Sequence, residues 1–319
     1  MATMTDTVKR AFLFPGQGSQ YVGMGQEVAN AYPEAAALFR RADDILGVSL
    51  SDLCWNGPEE TLNDTYNTQP AIFVTSLACL AALRAAGYHA EPHFVAGHSL
   101  GEYVAYVVAG VLSFEDGLQL VRERARLMRE AGERNPGKMA AILKLSDEEV
   151  AEICRRVSAE TGWVQIANYN TPGQVIISGD EAGIERAIAL AKEAGARKAV
   201  TLPVSIAAHS RLMEGANAAF KAAVERVTLH PPAIPIVANI TAQPLTTPEA
   251  IRAEMVGQLT ASVQWTRTIQ YMIAQGVTTF IEIGPKDVLT KMMKRIDRRV
   301  TARSVEDETG IQKLLEEGL

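Results

Sequence analysis

The 319-residue sequence predicts an α/β fold, a parallel sheet with a small βαββαβ unit inserted into it. Three observations carry that expectation. Short apolar runs alternate with helical patterns from the start of the chain. A tight glycine turn, Gly97-His98-Ser99-Leu100-Gly101, joins one such run to an apolar helix. The middle of the chain then changes grammar, with strands and helices in the order β-α-β-β-α-β.

Each element follows from local chemistry. Residues 9–14 are an apolar run that breaks at Pro15-Gly16, and the glycine-rich loop PGQGSQYVGMG follows. Residues 32–46 have helical spacing. Thr68 as cap and Pro70 in the first turn open a long helix that stops at Gly87. That helix is apolar nearly all round, which predicts burial. Residues 93–96 form a short strand, and a second apolar helix begins just past Ser99. Residues 138–145 alternate as a strand, and Ser146 with Glu149 forms a capping box for the next helix. Strands at 163–168 and 174–178 flank the turn signal Asn170-Thr171-Pro172-Gly173. An amphipathic helix at 181–194 and a strand at 198–203 complete the ferredoxin-like order. A small domain is therefore expected at 135–205, between parts 1–134 and 206–319 of a larger α/β domain. The larger domain resumes with a strand at 234–240, a helix from Trp265, a strand at 279–283 and a helix from Asp287.

Composition narrows the function classes. Hydrophobic residues make up 47% and charged residues 21%, which excludes a disordered chain. The 31 Lys+Arg against 37 Asp+Glu leave a net charge of −6, without the basic excess of a nucleic-acid binder. The three cysteines, Cys54, Cys79 and Cys154, are odd in number and lack metal-ligand spacing, so a reducing, cytoplasmic setting and no metal are expected. The N-terminal MATMTDTVKR has no signal-peptide core. The apolar run around Pro70 ends at Arg84, short of the roughly 20 residues a membrane span needs.

The chemistry gathers at Ser99. The G-x-S-x-G pattern is common by chance, but here a strand precedes it and an apolar helix follows, as in a nucleophile elbow. The backbone N–H of Leu100, at the helix start, faces the place where an oxyanion develops. Of the five histidines, His98 adjoins the serine across a sharp turn, His89 and His93 precede the elbow strand, and His230 sits before Pro231-Pro232. Elimination leaves His209 as the base. No Asp stands out as a third triad member. On the helix at 115–132, Arg122, Arg126 and Arg129 cluster on the solvated side, whereas Arg124 falls inside the apolar arc. A buried arginine requires a partner. Two readings are open, an internal salt bridge to an Asp or Glu, or a carboxylate of an anionic substrate near Ser99. The loop Gly16-Gln17-Gly18-Ser19-Gln20 lacks the last glycine of a dinucleotide motif, Tyr21 standing in its place. A second oxyanion donor at Gln17 fits it better.

Together these residues resemble the malonyl-CoA:acyl carrier protein transacylase family. The resemblance runs nearly end to end, through FPGQGSQ (14–20), GHSLGEY (97–103), LVRERARLM (120–128), NYNTPGQVIISG (168–179), PVSIAAHS (203–210), QLTASVQWT (258–266) and EIGP (282–285). It implies a large α/β-hydrolase-like domain with a ferredoxin-like insert, and a Ser99–His209 pair. It implies that a main-chain carbonyl at Gln258, in place of an Asp, orients the imidazole. Gln17 and Leu100 carry over as oxyanion donors and Arg124 as the partner of a malonyl carboxylate. Malonyl-CoA is then a substrate, acyl carrier protein the acceptor, and no cofactor is bound. A monomer is implied, with neither nucleic acid nor membrane as partner. Ala207 and Ala208 precede the base where relatives vary. The acceptor's acidity points to basic docking candidates at Lys286, Lys291, Lys294 and Arg295, and at Arg122, Arg126 and Arg129. A free-standing polyketide acyltransferase, a serine hydrolase or thioesterase, and a non-catalytic relative are the competing classes. The last is disfavoured by the presence of both nucleophile and base.

Overall fold

The computed structural model describes residues 8–204 and 206–319. In chain order its strands are β1 (Arg10–Phe14), β2 (Phe94–Gly97), β3 (Lys138–Leu143), β4 (Val164–Thr171), β5 (Gln174–Gly179), β6 (Lys198–Thr201), β7 (Ile236–Val237), β8 (Pro244–Leu245), β9 (Thr279–Ile283) and β10 (Thr301–Val305). They form two sheets. The larger has the order β10-β9-β1-β2-β7-β8, parallel throughout except for the short antiparallel β7–β8 pair. The smaller, β4-β5-β3-β6, is antiparallel.

The larger sheet places its central strands where their sequences require. In β1, Ala11, Phe12, Leu13 and Phe14 are all fully buried, as expected of a parallel strand covered on both faces. β1 and β2 run side by side in register, Phe14 opposite Gly97. The loops after their carboxyl ends, 15–20 and 98–100, therefore meet at one end of the sheet, where sites of α/β folds gather.

Helix Thr65–Ala85 is the main core helix, and its start corrects the sequence reading. Asp64, not Thr68, is the cap, its side chain accepting from Tyr66 N. Pro70 consequently lies inside the helix, where it cannot donate to the carbonyl of Tyr66 four residues back. That carbonyl instead accepts from Arg122 Nη1 at 2.7 Å, and the guanidinium lies 3.3 Å over the Tyr66 ring. Arg122 is thus half-buried rather than on a solvated face. The same helix has 21 residues and enough apolar character to cross a membrane by length and composition, more than the run ending at Arg84 suggested. It is the core of the fold, 78% of its most apolar stretch being buried.

Two other expectations change at their edges. The strand expected at 234–240 shortens to Ile236–Val237, because Ala238 and Asn239 turn their backbone groups to Gln243, Glu102 and Gln264. β10 and the closing helix Glu308–Glu317, which no reading above anticipated, complete the outer side of the sheet. The capping box at Ser146 and Glu149 forms as expected.

The smaller sheet is fastened to the larger one. β4 makes a parallel bridge to Val263, with Tyr169 N donating to Val263 O and Val263 N to Ala167 O. Gln165 Nε2 donates to the carbonyls of His209 and Thr260. The cleft between the sheets is lined from both sides. The N-terminal segment read for a signal peptide lies largely outside the described residues, as does the boundary residue 205.

Candidate active site

The elbow at Ser99 exists because glycine stands on both sides of it. A Cβ on Gly97 would lie 1.9 Å from the Gly101 carbonyl carbon, and one on Gly101 would lie 2.1 Å from Phe14 O. Only glycines let the turn fold this tightly against the neighbouring strand. Ser99 itself takes the left-handed conformation, φ 52°, which lifts its side chain off the end of β2.

His209 reaches Ser99 from the segment that follows the small sheet. Its Nε2 lies 2.8 Å from Ser99 Oγ, and its Nδ1 lies 2.8 Å from the carbonyl of Gln258. A carbonyl only accepts, so Nδ1 carries the hydrogen and Nε2 is free to take the serine proton. His209 also has positive φ, 55°, and its own carbonyl is held by Gln165. It is 3% exposed. Burial, the Arg124 charge and His98 push its pKa down to about 3, against the pull of the Gln258 carbonyl. The imidazole is therefore neutral at ordinary pH, and a carbonyl occupies the place of a triad carboxylate.

Arg124 is 1% exposed and projects from helix Phe114–Arg134 into the same space. Its Nη1 donates to Gln69 Oε1 at 2.6 Å, its Nη2 to Gln258 Oε1 at 2.9 Å and to Ser99 Oγ at 3.2 Å. Among the described residues no Asp or Glu lies within ion-pair distance, which removes the internal salt bridge. Its Nε has no partner either. A guanidinium held only by neutral oxygens is a site for an anion.

Gln17 and Leu100 line the cavity beside Ser99. Among the described residues, the N–H of neither has a hydrogen-bond partner, and the Gln17 side chain is tied back to Thr65 Oγ1 at 3.1 Å. Lys286 holds the Gln17 loop in place, its Nζ donating to the carbonyls of Gly18 and Gln20. The cavity itself measures about 240 Å³, and its far wall is apolar, with Met128, Ile176, Leu202, Val204, Ile206 and Met292. The other histidines lie where elimination placed them. His98 turns to Asn170 at 2.9 Å and to the edge of Trp265, while His93 meets Arg10 N at the opposite end of the strand.

The six residues singled out in the sequence thus come together around one cavity or directly behind it. Sequence reasoning missed the polar layer beneath them. Asn239 accepts from Ser99 N at 2.8 Å and donates to Gly97 O at 2.7 Å. Glu102, fully buried, accepts from both Asn239 and Gln258. Burial and the nearby Glu254 raise the Glu102 pKa well above the usual carboxylate range, against those hydrogen bonds. A carboxylate one residue after G-x-S-x-G, at the head of an apolar helix, was the available signal. Among the described residues no cluster of metal ligands occurs.

This arrangement has close counterparts. Residues 11–314 match the family model of the acyl transferase domain. A malonyl CoA-acyl carrier protein transacylase of Bacillus subtilis is 44% identical over 313 residues, 97% of this chain and 98% of that protein. The structure of an acyl-carrier-protein S-malonyltransferase from Burkholderia pseudomallei superposes with a TM-score of 0.93 at 42% identity, covering 97% of this chain and 99% of that one. A malonyl-transacylase solved in complex with a type II PKS acyl-carrier protein superposes with a TM-score of 0.94 at 39% identity, covering 97% and 99%. With a serine paired to a buried histidine, an unpaired guanidinium beside them and this likeness along nearly its whole length, the chain belongs to the malonyl CoA-acyl carrier protein transacylase family.

Proposed function

We propose that the protein moves a malonyl group from malonyl-CoA to the phosphopantetheine thiol of acyl carrier protein, through a malonyl ester on Ser99. The observation that carries this reading is the position of Arg124, buried without a carboxylate and 3.2 Å from the nucleophile. In the first half-reaction, His209 Nε2 takes the Ser99 proton as Oγ attacks the thioester carbonyl. The N–H groups of Gln17 and Leu100 stabilise the resulting oxyanion. The C–S bond breaks, and CoA leaves with the proton from His209. In the second half-reaction the carrier thiol gives its proton to His209 and attacks the ester. The C–O bond to Ser99 breaks and Oγ recovers the proton. Arg124 clamps the malonyl carboxylate throughout, and the apolar wall limits water that would hydrolyse the ester.

This reading needs no cofactor. It treats residues 1–134 and 206–319 as an α/β-hydrolase-like catalytic domain and 135–205 as a ferredoxin-like domain that closes one side of the cleft. The strand order of the smaller sheet supports the latter description. We read the protein as a cytoplasmic monomer supplying fatty-acid synthesis. The likeness to a malonyl-transacylase bound to a polyketide carrier favours polyketide synthesis as the second reading.

A malonyl-sized mass increase is expected on Ser99 after incubation with malonyl-CoA alone, and none in Ser99→Ala. Arg124→Ala should slow malonyl acylation by about one and a half to three and a half orders of magnitude, from about 2–5 kcal/mol at 1.4 kcal/mol per tenfold. Acetyl transfer, lacking the carboxylate, should change little. An equal loss on both acyl groups would assign Arg124 a structural role.

The low pKa of His209 makes a second expectation. Its lowered value means the base stays deprotonated down to acid pH, so kcat/KM for acylation should be level between about pH 5 and 8 and fall only below that range. An inflection near 6.5 would contradict the burial argument.

For the carrier protein, the face around Lys291 and Lys294 is the proposed dock. Lys286 is committed to the Gln17 loop, and Arg126 and Arg129 to acidic neighbours. Among the described residues Lys294 has no ion-pair partner, whereas Lys291 pairs with Asp287 at 2.7 Å. Reversing both charges with Lys291→Glu and Lys294→Glu should raise KM for carrier protein and leave KM for malonyl-CoA alone. An unchanged carrier KM rejects this face.

A further inference from the structure

We propose that Glu102 is a positioning residue for substrate selection, acting through the side-chain amide of Gln258 to keep Arg124 open for a carboxylate. The inference rests on the reading of Arg124 above. Glu102 opens helix Gly101–Val108 three residues after the nucleophile and is fully buried. Among the described residues, the hydrogen bonds to its carboxyl oxygens come from N–H donors. Oε1 accepts from Asn239 N and Asn239 Nδ2, both at 2.9 Å, and Oε2 from Gln258 Nε2 at 2.6 Å.

Gln258 has two distinct ends, and Glu102 decides which faces which way. Its Nε2 points to Glu102 and to Ser99 O at 3.0 Å, leaving Oε1 for Arg124 Nη2 at 2.9 Å. Turned over, the amide would set N–H against the guanidinium and oxygen against a carboxylate, two donors and two acceptors face to face. With both carboxyl oxygens already accepting from N–H groups, Glu102 disfavours that orientation.

The spacing has a second consequence. A carboxylate directly on Arg124 would occupy the fork that the substrate needs. With one amide between them, Glu102 stays close to Arg124 without blocking its fork, and the buried polar groups are satisfied through a hydrogen-bonded chain. Asn239 shares the arrangement from the other side, its Oδ1 accepting from Ser99 N at 2.8 Å. Loss of that arm would affect every acyl group alike, whereas loss of the Gln258 arm would weigh most heavily on acyl groups carrying a carboxylate.

The experiment compares Ser99 acylation by malonyl-CoA and acetyl-CoA in Glu102→Gln, Arg124→Ala and the double variant. Glu102→Gln introduces an N–H that must oppose either Asn239 or Gln258. The malonyl-to-acetyl rate ratio should fall about tenfold, the scale of one lost hydrogen bond to a charged group. In the Arg124→Ala background, Glu102→Gln should cause no further fall in that ratio, because the two residues act in one chain. If Arg124→Ala lowers the ratio and Glu102→Gln lowers both rates equally or leaves the ratio unchanged, the proposal fails and the Arg124 reading stands. If Arg124→Ala leaves the ratio unchanged, that reading fails and the proposal with it. Should Glu102→Gln not fold, Glu102→Asp keeps an acceptor facing Asn239 but is one methylene short of Gln258. It should show the same selective loss on malonyl, and an equal loss on both acyl groups would overturn the proposal.

Discussion

A guanidinium buried without a carboxylate is the constraint around which the site is built. Burying a charge is costly unless it is paired and hydrogen-bonded. In the proposed reaction the pairing is left to the substrate carboxylate, and the protein holds Arg124 with the amide oxygens of Gln69 and Gln258 and the hydroxyl of Ser99. The uncompensated charge also reaches the base. Together with burial it keeps His209 neutral, and a neutral imidazole needs only a carbonyl to orient it. The missing triad carboxylate and the unpaired arginine are therefore two sides of one electrostatic arrangement. In the proposed reaction, a carboxylate on His209 would compete with the substrate for Arg124.

The fold supplies the rigidity this requires. Positive φ at both Ser99 and His209 persists because neighbours hold the backbone from several directions. Ser99 is fixed through Asn239 and Gln258, and the carbonyl of His209 through Gln165 on the small sheet. The bridge between β4 and Val263 carries the small sheet against the residues that flank Gln258. Nucleophile, base and arginine come from three distant parts of the chain, yet a common hydrogen-bonded layer spaces them.

Much of this was legible in the sequence, for identifiable reasons. The elbow is a steric demand written in two glycines, each facing backbone within about 2 Å of where a Cβ would lie. Arg124 stood out because helical periodicity sets it among apolar neighbours. His209 followed from the small number of histidines. The Gln258 carbonyl came from family resemblance alone, since a backbone acceptor leaves no mark in side-chain pattern. What stayed hidden depends on partners far along the chain. Pro70 sits inside a helix because Arg122, more than 50 residues later, satisfies the carbonyl that Pro70 leaves free. The strand near Ile236 ends early because Asn239 bonds to Glu102, 137 positions away. Local propensity has no access to either contact.

The most direct test is a crystal structure of the malonyl-enzyme, trapped on Ser99 in the absence of acceptor. The account predicts the malonyl carboxylate on Arg124, with both of its oxygens within hydrogen-bond distance of the guanidinium, while Gln258 keeps its amide toward Glu102. A malonyl ester whose carboxylate lies elsewhere, with Arg124 still bonded to Gln69 and Gln258 as in the free protein, would contradict it.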